Sequence, residues 1–183
     1  MDEWITSKAN AKARERLIKK CNEALNIKRF QRDFYGKGKT ACNMGTEWIL
    51  KQMGRDTQIL LSYWAQYDRF IPGTANYMYF QLLDSSCQGI VKEINWNSKE
   101  GIEQEVHRLG WMGCTVVGSA HSEVKGRSGH IAIVYPTPQN NILKVCNIGW
   151  DNLVCSPHDK KSFGGGKAYL SEIKYFLLTK LEE

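Results

Sequence analysis

Segments with helical periodicity fill the first half of this chain, and segments with strand character fill the second. That order constrains the fold more than any other feature. It disfavours alternating βαβ units and favours an α+β architecture, with helices packed on one face of a C-terminal antiparallel sheet. Residues 7–25 place Ala9, Ala13, Leu17, Ile18, Cys21 and Leu25 near one face of a basic amphipathic helix. Residues 26–39 lack a clear period and read as a loop. In residues 40–54, TACNMGTEWILKQMG, an apolar stripe of Met44, Trp48, Ile49, Leu50 and Met53 predicts a helix stopped by Gly54. Residues 58–70 predict a short helix, with the aromatic cluster around Tyr63, Trp64, Tyr67 and Phe70 in the core. Thr74 is a credible N-cap for the next helix, and Ser98 opens another that runs to Leu109, with Gly110 at its end.

Strands are predicted at residues 89–95 (GIVKEIN), 114–119, 129–135 (GHIAIVY), 142–149 (ILKVCNIG) and 172–179 (EIKYFLLT). The run Gly164-Gly165-Gly166 marks a tight connection before the last of them. The chain's 183 residues suffice for one domain with a real hydrophobic core. Residues 1–34 form its N-terminal helix and lead-in loop, and residues 35–178 its core.

Six cysteines occur without a CxxC pair, the histidines lack HExxH spacing, and Gly166-Lys167-Ala168 stops short of a phosphate loop. Neither a metal nor an organic cofactor is expected. Cys21, Cys87, Cys114 and Cys146 read as packed, unpaired thiols. The net charge of +6 would draw polyanions, but the Lys and Arg residues are dispersed and no nucleic-acid motif is present. No apolar run approaches the roughly 20 residues of a membrane span.

Cys42 falls in the first turn of its predicted helix. There the unpaired backbone N–H groups and the positive end of the helix dipole favour a thiolate. His130 opens an apolar strand, 88 residues further on. If residues 129–135 and 142–148 pair as a hairpin, Asn147 ends the strand beside it and can orient the imidazole. A nucleophile, a base and an orienting amide are the parts of a cysteine amide hydrolase, and backbone N–H groups at the helix start would serve its oxyanion. Asp151 and Asn152 are alternatives to Asn147 if the strand ends earlier. Trp150 is a candidate substrate wall, and Ser119 is a candidate for hydrogen bonding substrate backbone. His121 reads as a solvated loop residue, His107 as surface or core edge, and His158 has no assigned role.

A cysteine at a helix start, then GHIAIVYP, then a strand ending in Asn-x-Gly resembles the papain-fold peptidoglycan hydrolases, both the NlpC-like and the CHAP groups. The resemblance covers residues 35–178 and includes the TANYMYFQLL and GCTVVGSAHS stretches. It implies a papain-like fold and hydrolysis of an amide in the peptide stem of peptidoglycan. Cys42 would then be nucleophile, His130 general base and acid, and Asn147 orienter, with Tyr35 and Asn43 beside the nucleophile as further substrate contacts. Ala41-Cys42-Asn43 departs from the Asp-Cys-Ser common in NlpC-like enzymes, so the resemblance points to the superfamily rather than to one subgroup.

The first residues lack the apolar core of a secretory signal. The expected history is therefore synthesis in the cytoplasm, then action on the wall after export by a secretion machine or after lysis. Both an antibacterial effector, accompanied by an immunity protein, and a phage lysin fit. A deamidase or transglutaminase-like toxin built on the same three residues is the alternative enzyme. A basic nucleic-acid-binding module is the non-enzymatic one.

Overall fold

The computed structural model describes residues 8–36, 41–65, 68–138, 142–149, 151–163 and 169–178. Among these, four helices and two antiparallel sheets form an α+β fold. Helix α1 (Lys8–Asn26) is followed by a 3-10 turn, Lys28–Phe30, and then by α2 (Cys42–Gln52). Next come the hairpin strands β1 (Leu61–Trp64) and β2 (Arg69–Pro72), then α3 (Ala75–Cys87), β3 (Lys92–Glu93) and α4 (Lys99–Trp111). The chain closes with β4 (Thr115–Ala120), β5 (His130–Tyr135), β6 (Lys144–Asn147), β7 (Leu153–Cys155) and β8 (Lys174–Leu178).

The main sheet has the order β3-β8-β4-β5-β6-β7. Its central strands are buried on both sides, and their alternation sorts two cores. Val117, Ile131, Ile133, Cys146 and Phe176 face Leu17 and Cys21 of α1, Ile49 and Leu50 of α2, and Met78 and Leu82 of α3. Val116, Ala132, Val134 and Val145 face Ile102, Val106 and Leu109 of α4. Each fully buried aliphatic side chain stabilises by roughly 1.5–3 kcal/mol. The expectation that all helices share one face is therefore corrected: α4 covers the opposite one. An amphipathic stripe says that a helix is covered, not which side of a sheet covers it.

Three further expectations change. Residues 58–70 are not a helix; a 3-10 turn at Gln58–Leu60 leads into the hairpin, whose register pairs Tyr63 with Phe70. Those rings lie 5.4 Å apart and are more than half exposed, so they are not core. Aromatic residues fit a pleated surface as well as a helix, and Asp68 supplies the positive φ (46°) of the turn. The strand expected over 89–95 shrinks to two residues. Helix α4 runs through Gly110, which packs on Val134, and ends instead at Trp111, with Met112 as C-cap before Gly113, whose φ of +84° favours glycine. The caps hold as read: Thr74 accepts from the Tyr77 amide at 3.2 Å and Ser98 from the Gly101 amide at 3.1 Å.

Candidate active site

Cys42 is the first residue of α2, 5% exposed. Its N-cap neighbour Ala41 has no side chain able to cap the first-turn amides, and that turn contains no acidic residue. The first turn itself therefore places no carboxylate at the positive end of the helix dipole. One turn further along, Gly45 presses on Ile148; a Cβ at position 45 would sit 2.3 Å from Ile148 Cδ1. Only a glycine lets the start of α2 lie this close to the residue that follows β6.

His130 opens β5 and Asn147 closes β6. The register pairs Ile133 with Cys146, which sets Asn147 across from Ala132 and makes His130 its diagonal neighbour. Long side chains reach across such a diagonal, and the small Ala132 leaves room. His130 Nε2 and Asn147 Oδ1 are 2.6 Å apart. Asn147 is completely buried, and its Nδ2 donates to the carbonyls of Asp151 (2.7 Å) and Lys161 (3.0 Å). Both amide hydrogens are therefore committed, so Oδ1 must accept. It follows that Nε2 carries the proton of the neutral imidazole and that Nδ1 is the basic nitrogen.

The Phe163 ring packs edge-on against the imidazole, with centroids 4.6 Å apart. Gly149 keeps the ring's other edge clear, since a Cβ there would lie 3.3 Å from Cε1. Asp151 and Asn152 do not take the orienting role. The Asp151 side chain is exposed near Lys161, while Asn152 accepts from the Gly149 amide and donates to the Phe30 carbonyl.

Strand alternation turns His130 toward the α4 side, whereas α2 lies on the other. His130 nevertheless begins β5 at the end of the sheet where Ile148, just past β6, meets Gly45 in the first turn of α2. A strap of chain joins β5 and α2 there. Asn43, next to Cys42, donates to the Gly73 carbonyl at 2.7 Å. Three residues later, Asn76 Oδ1 accepts from the amides of Gly129 (2.7 Å) and Ser122 (2.8 Å), and its Nδ2 donates to the Arg127 carbonyl (3.1 Å). Gly129 is the residue before His130. Neither Asn76 nor Phe163 was singled out from sequence. An asparagine in a helix's first turn reads as a terminus signal, and nothing local to Phe163 points to a histidine 33 residues away.

Of the remaining expected contacts, Asn43 is half-buried and engaged in the strap. Tyr35 is 48% exposed and stacked edge-on with Phe34. Ser119 is fully buried in β4, its hydroxyl turned to the His130 carbonyl at 3.5 Å rather than outward. Trp150 lies outside the described residues, as do Tyr67, the side chain of Trp64 and the triple glycine.

His121 stacks with Tyr79 and Phe80, His107 meets Thr137 Oγ1 at 2.8 Å, and His158 pairs with Glu103 at 2.7 Å. None of the six cysteines is in a disulfide. Cys21 and Cys146 are packed in the core as expected, but Cys87 is exposed at the end of α3, and Cys114 is half-buried. Burial and the neighbouring Cys146 push the Cys21 thiol well above its usual range. Among the described residues no cluster of His, Cys, Asp or Glu could hold a metal, and no helix is long and apolar enough to cross a membrane. Comparison with protein-family models and with curated proteins found no match for this chain.

Proposed function

We propose that this chain is a cysteine amide hydrolase of papain-like fold that cleaves amide bonds in the peptide stems of peptidoglycan. One observation carries the reading: the Asn147 amide is locked so that His130 keeps its proton on Nε2 and offers Nδ1 as a base, at the end of the sheet where Ile148 meets the first turn of α2. Nδ1 takes the Cys42 thiol proton, and the thiolate attacks the amide carbonyl. Backbone N–H groups of the first turn of α2 receive the oxyanion. Collapse of the tetrahedral intermediate breaks the C–N bond, and the departing amine takes the proton from Nδ1. Water, deprotonated by Nδ1, then hydrolyses the thioester and regenerates the thiol.

The substrate class rests on the resemblance to wall hydrolases and on a formal net charge of +6, suited to anionic wall polymers. An exported antibacterial effector, opposed by an immunity protein, and a phage lysin both fit. The test is incubation of purified protein with peptidoglycan fragments, followed by mass spectrometry of the stems. Cleavage that vanishes in Cys42→Ala supports the proposal. Intact stems, together with ammonia release from a protein glutamine, would overturn the substrate class.

A further inference from the structure

Asn76 is the one described side chain that ties the loop before His130 to the first turn of α3. Its Oδ1 holds Ser122 N near the start of that loop and Gly129 N at its end, and its Nδ2 holds the Arg127 carbonyl between them. A single amide thus closes both ends of the β4–β5 connection. A Cβ on Gly129 would lie 2.6 Å from Asn76 Oδ1 and 2.3 Å from the Ala120 carbonyl, so the closure needs glycine there. At the other end of the same short stretch, Gly73 is held by Asn43, the residue after Cys42.

We propose that Asn76 is a positioning residue: the strap 73–76, anchored by Asn43 at one end and by Asn76 at the other, sets the Cys42 thiol in register with the His130 imidazole. The proposal rests on the Cys–His pairing put forward above, but not on any particular substrate. The strap's bonds attach to the residues immediately beside the two reacting groups, so slack in either bond is transmitted directly to their separation. Rates of paired groups respond steeply to such displacements; about 1 Å can cost on the order of a hundredfold.

The readout is alkylation of Cys42 by iodoacetamide near pH 6, followed by peptide mass spectrometry. At about that pH an unpaired cysteine is almost wholly thiol, so fast labelling reports the pairing without any substrate. Wild type should label at least about tenfold faster than His130→Ala. Asn76→Ala should lose about tenfold or more with His130 intact. Asn76→Asp keeps an oxygen for both amides and should label faster than Asn76→Ala, although its second oxygen, half-exposed and facing the Arg127 carbonyl, should keep it below wild type. Asn43→Ala, which cuts the other anchor, should slow labelling as Asn76→Ala does and decides the matter if Asn76→Ala does not fold.

Labelling within about twofold of wild type in either alanine variant would overturn the proposal. So would Asn76→Asp labelling as slowly as Asn76→Ala. Wild type labelling no faster than His130→Ala would overturn both this proposal and the Cys–His pairing. Normal labelling with intact peptidoglycan stems would remove only the substrate assignment.

Discussion

Asn147 donates to the Lys161 carbonyl at 3.0 Å, a bond that crosses from the end of β6 to a loop that also carries Phe163 onto the imidazole. With its partner bond to Asp151, it makes asparagine irreplaceable by aspartate here. A carboxylate at 147 would face two carbonyl oxygens at a position with no solvent exposure. Asn147→Asp should therefore cost more stability than Asn147→Ala, which leaves two carbonyls unpaired at roughly 1–3 kcal/mol each. Urea denaturation of the two variants checks the order. Asn147→Ala should retain measurable turnover, while Cys42→Ala should retain none, because an orienting group contributes less than the attacking atom.

The six thiols should separate by pH in a labelling experiment. Cys42, 5% exposed at an uncapped helix start, should react first near pH 6. Cys87, exposed at the end of α3, should follow. Cys21, buried and pushed upward by its surroundings, should react only when the protein unfolds. Time-resolved peptide mapping gives the order directly; Cys87 labelling ahead of Cys42 at the acid end would contradict it.

The legibility of this chain followed the range of its interactions. His130 and Asn147 were readable because each is a polar residue at the boundary of an apolar run, where a strand begins or ends. The Cys42 helix was readable from its stripe. What escaped was either too short or too distant. The three residues of β7 carry no period, and the β1–β2 hairpin hid behind aromatics that suit both periods. The side of the sheet taken by α4 depends on packing between remote segments. So do the carbonyls that fix the Asn147 amide, one of them 14 residues away in a loop.

Gly45 is a place where helix propensity and packing oppose each other. Replacing it with alanine gains up to about 1 kcal/mol of propensity inside α2. The new methyl, however, would sit 2.3 Å from Ile148 Cδ1 and 2.9 Å from its Cγ2, and overpacking costs about 1–3 kcal/mol. Gly45→Ala should thus be destabilising overall, and turnover should fall further because the start of α2 is pushed away from the end of β6. The check is a double-mutant cycle with Ile148→Ala. The pair should cost less than the sum of the singles by about 0.5–3 kcal/mol, as expected for residues in direct contact; strict additivity would deny the contact.

Cys21 also gives stability a pH dependence of known sign. In the folded protein its thiol is buried beside Cys146 and its pKa is raised; in the unfolded chain it ionises near about 8.5. The unfolded chain therefore releases this proton first. The thiol's contribution is intact below about pH 8.5 and is lost as the pH rises toward the folded value, at up to about 1.4 kcal/mol per pH unit. Urea midpoints measured from about pH 7 to pH 10 should fall over that window. Cys21→Ala should start lower, because it removes a completely buried sulfur, but should fall less steeply by one proton's worth of slope. Parallel curves for the two proteins would mean that the Cys21 thiol, on α1 against β6, ionises as readily folded as unfolded, and would overturn this account.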